Sequence, residues 1–230
     1  MTVEPTPSAQ RERSRWKEIA EALELDIIVG RLHLREHLIE DEVMRRFDAS
    51  RYAVRRAFEE MHALGLVTRS ENRGVRIRGF TAKEVADLFD LRVILESAAA
   101  RQIPMPVPEP LVAKLEDIQR QHDEAARTGD FFALFQLNND FHQTLFSTCG
   151  NNELIDAIAR YSLQVQPIRM QFVHDEGRRH DVAKEHWAMI EAVSTQDSDA
   201  LVTICANHLT VTKKMFLRSL GIPTVRTDPA

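Results

Sequence analysis

Four polar residues fall among the apolar positions of three predicted helices in the second half of the chain: Asn138, His142, His186 and His208. Asn138 and His142 stand at positions i and i+4, so both lie on one face of a helix. A neutral imidazole is the commonest protein ligand of metal ions, and three imidazoles with open coordination positions suit zinc or nickel. A single inward histidine is more often a hydrogen-bonded core residue, whereas three that converge favour a metal site.

Arginines concentrate in two short stretches of the first third of the chain. Five arginines lie between Val43 and Phe58 against one acidic residue, Asp48, and four lie between Arg69 and Arg78 against Glu71. The 230-residue chain has a net charge of −5, which argues against a wholly basic nucleic-acid-binding protein. Local clusters on such a chain indicate either a phosphate-binding face or a solvated charged surface.

Periodicity and turn residues place these arginines on a small module over residues 11–79. A helix is predicted over 11–29 and a short one around residues 43–47. A third begins after Ser50, a favourable N-cap residue. Two extended segments, 66–69 and 75–78, flank turn residues and predict a hairpin. This order predicts a winged helix-turn-helix.

The third helix is predicted to bury Val54, Ala57, Phe58 and Met61, which leaves its arginines on the opposite face. The first turn of a recognition helix meets base edges in the major groove, and arginine can contact guanine or clamp a phosphate. The wing tip would reach the neighbouring minor groove or its phosphates. The residues predicted to contact DNA are Arg45, Arg46, Ser50, Arg51, Tyr52, Arg55, Arg56, Arg73 and Gly74.

A separate helical domain is predicted over residues 80–222. Thr81 and Glu84 form a capping-box pattern ahead of a long helix that ends near Ile103. Five more helices are predicted over 110–127, 131–148, 152–175, 178–195 and 199–219, with a kink at Pro167. Together they predict a six-helix bundle with one core, and a mainly α fold for the chain. Residues 1–10 and 223–230 are predicted to be tails, and the other six histidines, His122 among them, are assigned to polar faces or loops.

The first module resembles the winged helix of GntR-type bacterial transcription regulators. The resemblance rests on Gly30-x-Leu32, Leu38-x-Glu40, Ser50-Arg51-x-x-Val54-Arg55, Leu64-Gly65-Leu66-Val67 and Arg73-Gly74-Val75. It implies DNA contacts by Arg51, Arg55 and the Gly74 region. The chain departs from the usual family pattern with Leu34-Arg35 in place of Pro-Gly. Asp41 stands where some relatives have arginine, and because a carboxylate repels phosphate we leave it out of the predicted DNA contacts.

The second module resembles the FCD ligand-binding domain of FadR-like GntR regulators, in the six-helix form of the VanR-like subgroup. The resemblance rests on Asn138-x3-His142 followed by His186 and His208, and it implies that these residues bind a divalent metal ion. It also implies that Arg92, four residues before Glu96, binds a small organic-acid effector. The alternative to an effector-binding role is a purely structural one, an i, i+4 ion pair between Arg92 and Glu96. Arg169, beside Pro167, is a weaker candidate for the effector site.

These patterns predict a cytoplasmic, ligand-responsive transcription regulator that binds double-stranded operator DNA as a homodimer. A membrane location is not expected, since no apolar run approaches the roughly 18 residues of a spanning helix, and two cysteines cannot form a disulfide framework. The main alternative is a metal-dependent hydrolase or oxygenase with an accessory docking module. Against it, no inward carboxylate is evident near the histidines as a general base. A helical scaffold that binds only protein is a third possibility, which would leave the arginines and histidines without a role.

Overall fold

The computed structural model describes residues 7–70 and 74–221, and the chain divides into two compact units between Gly79 and Phe80. The described part of the first unit contains three helices and three short strands, and that of the second unit contains six helices. The elements of the first unit are α1 (Pro7–Ile28), β1 (His37–Ile39), α2 (Glu40–Phe47), α3 (Arg51–Ala63), β2 (Val67–Ser70) and β3 (Gly74–Ile77). Those of the second are α4 (Ala82–Gln102), α5 (Glu109–Thr128), α6 (Phe131–Phe146), α7 (Asn152–Met170), α8 (Glu176–Ser194) and α9 (Ser198–Ser219).

The first unit has the predicted winged helix-turn-helix order. Asp48 ends α2 in the left-handed conformation, with φ of 45°, and the Ser50 side chain accepts a hydrogen bond from the Ala53 amide at 3.2 Å. Such a bond satisfies one of the free amides at a helix start, so Ser50 is engaged in capping the recognition helix α3. The buried face of α3 consists of Ala53, Val54, Ala57, Phe58 and Met61.

The wing contains a strand that the sequence did not predict. The sheet order is β1-β3-β2, and β1 pairs antiparallel with β3, placing Leu38 opposite Val75. Three residues are too few to display the alternation that marks a strand. Their pairing with β3 spans more than thirty positions of sequence, so only the folded chain reveals it.

The second unit is the predicted six-helix bundle. Thr81 and Glu84 form a complete capping box at the start of α4, with the Thr81 Oγ1 accepting from the Glu84 amide at 3.2 Å. The core joins apolar side chains of all six helices, including Phe141, Met189 and Leu201, each of which is fully buried. This core fixes the inward faces of α6, α8 and α9, the helices that carry the candidate metal ligands.

The largest differences between predicted and observed helix ends are at the start of α1 and the end of α7. Helix α1 begins at Pro7, inside the stretch 1–10 that the sequence analysis assigned to a tail, and residues 1–6 lie outside the described residues. Helix α7 ends at Met170, five residues earlier than predicted, because Gln171–His174 form turns. The wing-tip residue Arg73 also lies outside the described residues. None of the helices in the described ranges is long and apolar enough to cross a membrane.

Candidate DNA-binding surface and metal centre

The exposed face of α3 carries four of the side chains predicted to contact DNA. Tyr52 exposes 65% of its surface, and the side chains of Arg51, Arg55 and Arg56 are also well exposed. The Arg56 guanidinium lies 5.2 Å from the centre of the Trp16 ring of α1. The predicted recognition face is therefore at the surface, and Arg56 packs over the Trp16 ring of α1.

Two carboxylates of α2 hold the arginines of this face. Glu40 accepts hydrogen bonds from Arg51 Nη1 and Arg55 Nε, both at 2.9 Å, and Asp41 accepts one from Arg51 Nη2 at 2.8 Å. Burial raises the pKa of Glu40, but the hydrogen bonds from Arg55 and Arg51 outweigh it, so the pKa lies below its usual value. The two guanidinium groups are thus oriented by α2, and their charge is partly neutralised before any phosphate approaches.

The two arginines on α2 are less available than the sequence suggests. Arg46 forms a 2.5 Å ion pair with Asp26, a buried residue of α1, and lies over the ring of Phe47 at 4.8 Å. Arg45 donates from Nε to the backbone oxygen of Asp41 at 3.3 Å. Arg46 therefore connects α2 to α1, since an unpaired carboxylate at Asp26 would be costly to bury.

Gly74 has a structural reason to be glycine. It is the first residue of β3, and a Cβ atom there would overlap the carbonyl oxygen of Leu38 in β1. The close approach of these two strands thus requires glycine. The DNA contact that the family resemblance implies for Gly74 is therefore not needed to explain why this position is glycine.

The structure brings the three predicted histidine ligands together. His142 of α6, His186 of α8 and His208 of α9 each offer a ring nitrogen, and these nitrogens all lie within 4.8 Å of one another. The ring centres are 5.1 Å apart for His142 and His186, 5.0 Å for His142 and His208, and 5.3 Å for His186 and His208. These three side chains, His142, His186 and His208, are called the imidazole cluster below. Their ring nitrogens are the kind of donor atoms that a metal centre uses.

A hydrogen-bonded glutamine sets the tautomer of His186. Gln119 of α5 donates from Nε2 to Asp123 Oδ1 at 2.7 Å, and this places its amide oxygen 2.7 Å from His186 Nδ1. Because an amide oxygen only accepts, Nδ1 of His186 carries the hydrogen. The lone pair of Nε2 is then free to bind a metal ion. Asp123 also accepts from Trp187 Nε1 at 2.9 Å, so the chain of hydrogen bonds continues to a partly exposed side chain.

A carboxylate orients His208 in the same way. Glu185 Oε2 lies 2.6 Å from His208 Nδ1, and Arg178 donates to both Glu185 oxygens at 3.1 and 3.2 Å. Burial raises the pKa of Glu185, and Arg178 partly offsets this. Contacts of this type fix the orientation of metal-binding histidines and raise their basicity.

The imidazole cluster is electrically neutral at ordinary pH. Burial lowers the pKa of His142, His186 and His208 well below the usual value, and neighbouring charges lower it further, including Arg169 for all three. A neutral imidazole has a free lone pair, which is the form that binds metal ions.

Orphaned polar atoms support the fit of a metal ion and an accompanying ligand. Among the described residues, Asn138 Nδ2, His142 Nδ1 and His186 Nε2 are buried without a hydrogen-bond partner. Burying such atoms unpaired costs about 1–3 kcal/mol each, so a bound group that contacts them would be stabilising. Nitrogen donors suit zinc or nickel. Asn138 supplies a carboxamide where an acidic residue would bring negative charge.

Arg92 does not line the cavity next to this cluster. Its Nε and Nη2 both donate to Glu96 Oε1, at 3.0 and 2.7 Å, and the pair is buried within α4. The side chain that does line the cavity is Arg169, the weaker candidate of the sequence analysis. Burial and the nearby Arg92 lower the pKa of the Arg169 guanidinium to about 9. Arg92 has its own carboxylate, whereas no ion pair of Arg169 is found in the described ranges, so a bound anion would stabilise the charged form of Arg169.

The cavity also includes a histidine that the sequence analysis misassigned. His122 of α5 is 2% exposed, and burial lowers its pKa to about 4. It was expected on a polar face or in a loop. Its ring centre lies 5.2 Å from that of His186. The spacing of Leu111, Leu115, Ile118 and Ala125 places residue 122 on the buried stripe of α5, so helical periodicity could have found it.

Comparisons with known proteins agree with both units. Residues 16–77 match the bacterial regulatory proteins of the gntR family, and residues 87–211 match the FCD domain. The chain belongs to the FCD-containing GntR regulators. It is 26% identical over 213 residues to YdfH, an uncharacterized HTH-type transcriptional regulator of Escherichia coli O6:H1, and the match covers 91% of both chains.

Two further proteins are similar to this GntR regulator. The HTH-type transcriptional repressor RspR of Escherichia coli K12 is 26% identical over 172 residues, which cover 75% of each chain. The solved structure of Escherichia coli McbR/YncC superposes with a TM-score of 0.79 at 12% identity and covers 90% of this chain and 98% of its own. At that identity the superposition shows the fold alone.

The family decides between the regulator and the enzyme. Both matched families and the named relatives are transcription regulators, not enzymes. A carboxylate does stand beside the histidines, that of Glu185, so the expectation that none is evident near them is wrong. Glu185 is next to His186 in sequence and partly exposed, which places it off the predicted inward stripe. Its oxygens are held by Arg178 and His208, which makes it an orienting group.

Proposed function

We propose that this GntR regulator is a cytoplasmic homodimer that binds operator DNA and responds to a small organic acid through a metal-assisted site in its helical unit. Residues 11–79 would form the DNA-binding domain and residues 80–222 the effector domain. The observation that carries the proposal is the imidazole cluster beside a cavity lined by Asn138, His208 and Arg169.

Charge balance connects the metal to an anionic effector. The imidazole cluster and Asn138 are neutral ligands, and Arg169 adds positive charge at the same cavity. When bound, zinc or nickel would supply a Lewis-acidic charge, held by His142, His186 and His208 with Asn138 as a weaker ligand. An organic acid would neutralise the excess positive charge through its carboxylate. In this scheme Arg92 does not contact the anion, because it pairs with Glu96.

DNA binding is assigned to α3 and the wing. Two protomers would present their α3 helices to half-sites of a pseudo-palindrome about one helical turn apart. Arg51 and Arg55 would contact base edges or phosphates, oriented by Glu40. The effector would change DNA affinity only if it binds the DNA-competent and DNA-incompetent arrangements of the dimer with different affinities.

Metal content tests the helical-unit part of the proposal. We expect the purified wild-type protein to retain zinc or nickel in elemental analysis after dialysis, and the double variant His186→Ala/His208→Ala to lose it. His33→Ala with His180→Ala is the matched control, since both substitutions remove imidazoles outside the cluster. Stoichiometric metal in the cluster variant, or none in the wild type even after zinc is added, would overturn the metal assignment.

A further inference from the structure

The cavity beside the imidazole cluster is lined by both polar and apolar side chains. Its apolar lining comes from Leu134, Phe135, Met170, Phe172, Val173 and Val182 of α6, α7, the turns that follow α7, and α8. Several of its polar side chains are already engaged by protein groups. The chemistry of the remaining polar groups therefore defines the ligand.

Arg178 and Arg179 are occupied. Arg178 donates to Glu185, to the backbone oxygen of His208 and to Thr212 Oγ1, the last two at 3.3 Å. Arg179 Nη1 donates to the backbone oxygen of Val173 at 2.8 Å, and its guanidinium lies 5.5 Å from the ring centre of Phe131. Neither can turn to a ligand without leaving these partners.

Arg169 and Asn138 are lining side chains whose donor groups are poorly satisfied by the protein. The only hydrogen bond of the Arg169 side chain to another described residue is a long one, 3.5 Å from Nη1 to Asn139 Oδ1, and no carboxylate of the described ranges pairs with it. Asn138 Nδ2 is buried without a partner. The Arg169 guanidinium only donates, and the unpartnered Asn138 atom, Nδ2, is also a donor. These donors match an accepting ligand head such as a carboxylate.

We infer that the effector, on the basis of the proposed function, is a monocarboxylic acid with an apolar body, aryl or alkyl, whose carboxylate binds Arg169. The carboxylate would accept hydrogen bonds from the Arg169 guanidinium and from Asn138 Nδ2. Its body would lie against the wall that includes Leu134, Phe135 and Val182. A polyhydroxy acid of similar size would bury its hydroxyls against that wall, and unpaired buried hydroxyls cost free energy.

The ligand class can be tested with two panels of carboxylates on the full-length, zinc-supplemented protein. Benzoate, 3-phenylpropionate and hexanoate form the apolar panel, and gluconate, malate and citrate form the polar panel. We expect members of the apolar panel to raise the unfolding temperature and to bind measurably in calorimetry, and benzyl alcohol to have no effect because it lacks the carboxylate.

Two variants locate the ligand in the cavity. Arg169→Gln should weaken binding of the apolar acids by roughly tenfold to a hundredfold, the usual effect of losing a charged hydrogen bond. Val182→Thr keeps the side-chain shape but places a hydroxyl in the apolar wall, so it should weaken the apolar panel as well. Arg160→Gln is the matched control, since Arg160 is exposed on the same helix as Arg169.

The outcomes separate this inference from the proposed function. Binding of gluconate, malate or citrate that depends on Arg169, without binding of the apolar panel, would overturn the ligand class and leave the regulator intact. Apolar acids that bind Arg169→Gln as tightly as the wild type would overturn the assignment of Arg169. If neither panel binds the metal-loaded protein, the organic-acid response itself fails.

Discussion

At the scale of single residues, the imidazole cluster depends on side chains that are not ligands. Gln119 donates to Asp123 and accepts from His186, while Glu185 accepts from His208. These contacts leave one lone pair on each ring directed away from its partner. His142 has no such partner for Nδ1 among the described residues. The sequence pattern predicted the three histidines of the cluster, but the side chains that orient them come from other helices or other faces.

The first prediction concerns Gln119. Replacing Gln119 by Leu should weaken zinc binding roughly tenfold to a hundredfold, the usual cost of losing a group that orients a metal ligand. The physical reason is that His186 Nδ1 would lose its acceptor and the ring could rotate or change tautomer. Zinc affinity is measured by competition with a chromogenic chelator, with circular dichroism as the check on folding.

Gln121→Leu is the matched control, because Gln121 lies two residues further along α5 and is exposed. Its side chain bonds to Asp117 and not to a histidine. Equal zinc affinities for the two leucine variants would show that Gln119 does not orient His186.

At the scale of elements, helices α2 and α3 are joined by ion pairs between carboxylates of α2 and arginines of α3. Glu40 forms ion pairs with Arg51 and Arg55, and Asp41 forms an ion pair with a second nitrogen of Arg51. Glu40 is buried, so its pairing is fixed, whereas the carboxylate of Asp41 is well exposed. Asp41 therefore reduces the positive charge that phosphates meet while it holds Arg51 in place.

The second prediction separates these two effects by DNA binding. Arg51→Ala should weaken binding to a footprinted operator roughly tenfold to a hundredfold, as expected for loss of a base-contacting arginine. Asp41→Ala should strengthen binding to unrelated DNA and steepen its dependence on salt, because a carboxylate that repels phosphate is removed. Both are measured by fluorescence anisotropy over a range of salt concentrations.

Glu42→Ala is the control for Asp41→Ala, since Glu42 is the next exposed residue of α2. If Arg51→Ala leaves operator affinity unchanged, α3 does not read DNA through that residue. If Asp41→Ala and Glu42→Ala change the salt dependence equally, only the overall charge of α2 is at work.

At the scale of the whole molecule, the core of the helical unit contains four neutral histidines. His122, His142, His186 and His208 come from four different helices, and burial is the largest cause of the lowered pKa of each. The folded chain resists protonation at these rings, whereas the unfolded chain takes up protons near pH 6.5. Folding stability is consequently linked to pH through the same residues that would bind the metal.

The third prediction follows from this linkage. Between about pH 6.5 and about pH 4 the unfolded chain binds more protons, so the stability of the metal-free protein should fall as pH falls through this range. Each such histidine contributes up to about 1.4 kcal/mol per pH unit. Urea unfolding at pH 7 and about 5.5, above the range where most carboxyls titrate, should therefore show a lower midpoint at the acidic pH.

His122→Leu should reduce this pH dependence because it removes one buried titrating ring. His33→Leu is the control, since His33 is exposed. An unchanged midpoint between the two pH values, or an equal effect of the two substitutions, would refute the linkage.

The sequence by itself determined the elements and the two-part fold, because the signals for these are local. Helical periodicity, the Ser50 cap and the Thr81–Glu84 capping box depend on residues within a turn of one another. The inward positions of His142, His186 and His208 follow from the same periodicity. Strand β1 escaped prediction, since its evidence lies in β3.

Only the tertiary structure decided what these side chains contact. The partners of Arg51 are ten and eleven residues away on another helix, and His186 meets Gln119 across 67 positions of sequence. Arg92 and Arg169 are both arginines near apolar residues in sequence, yet one is buried against Glu96 and the other lines the cavity. Such choices depend on which helix faces pack together, and packing is a long-range property of the folded chain.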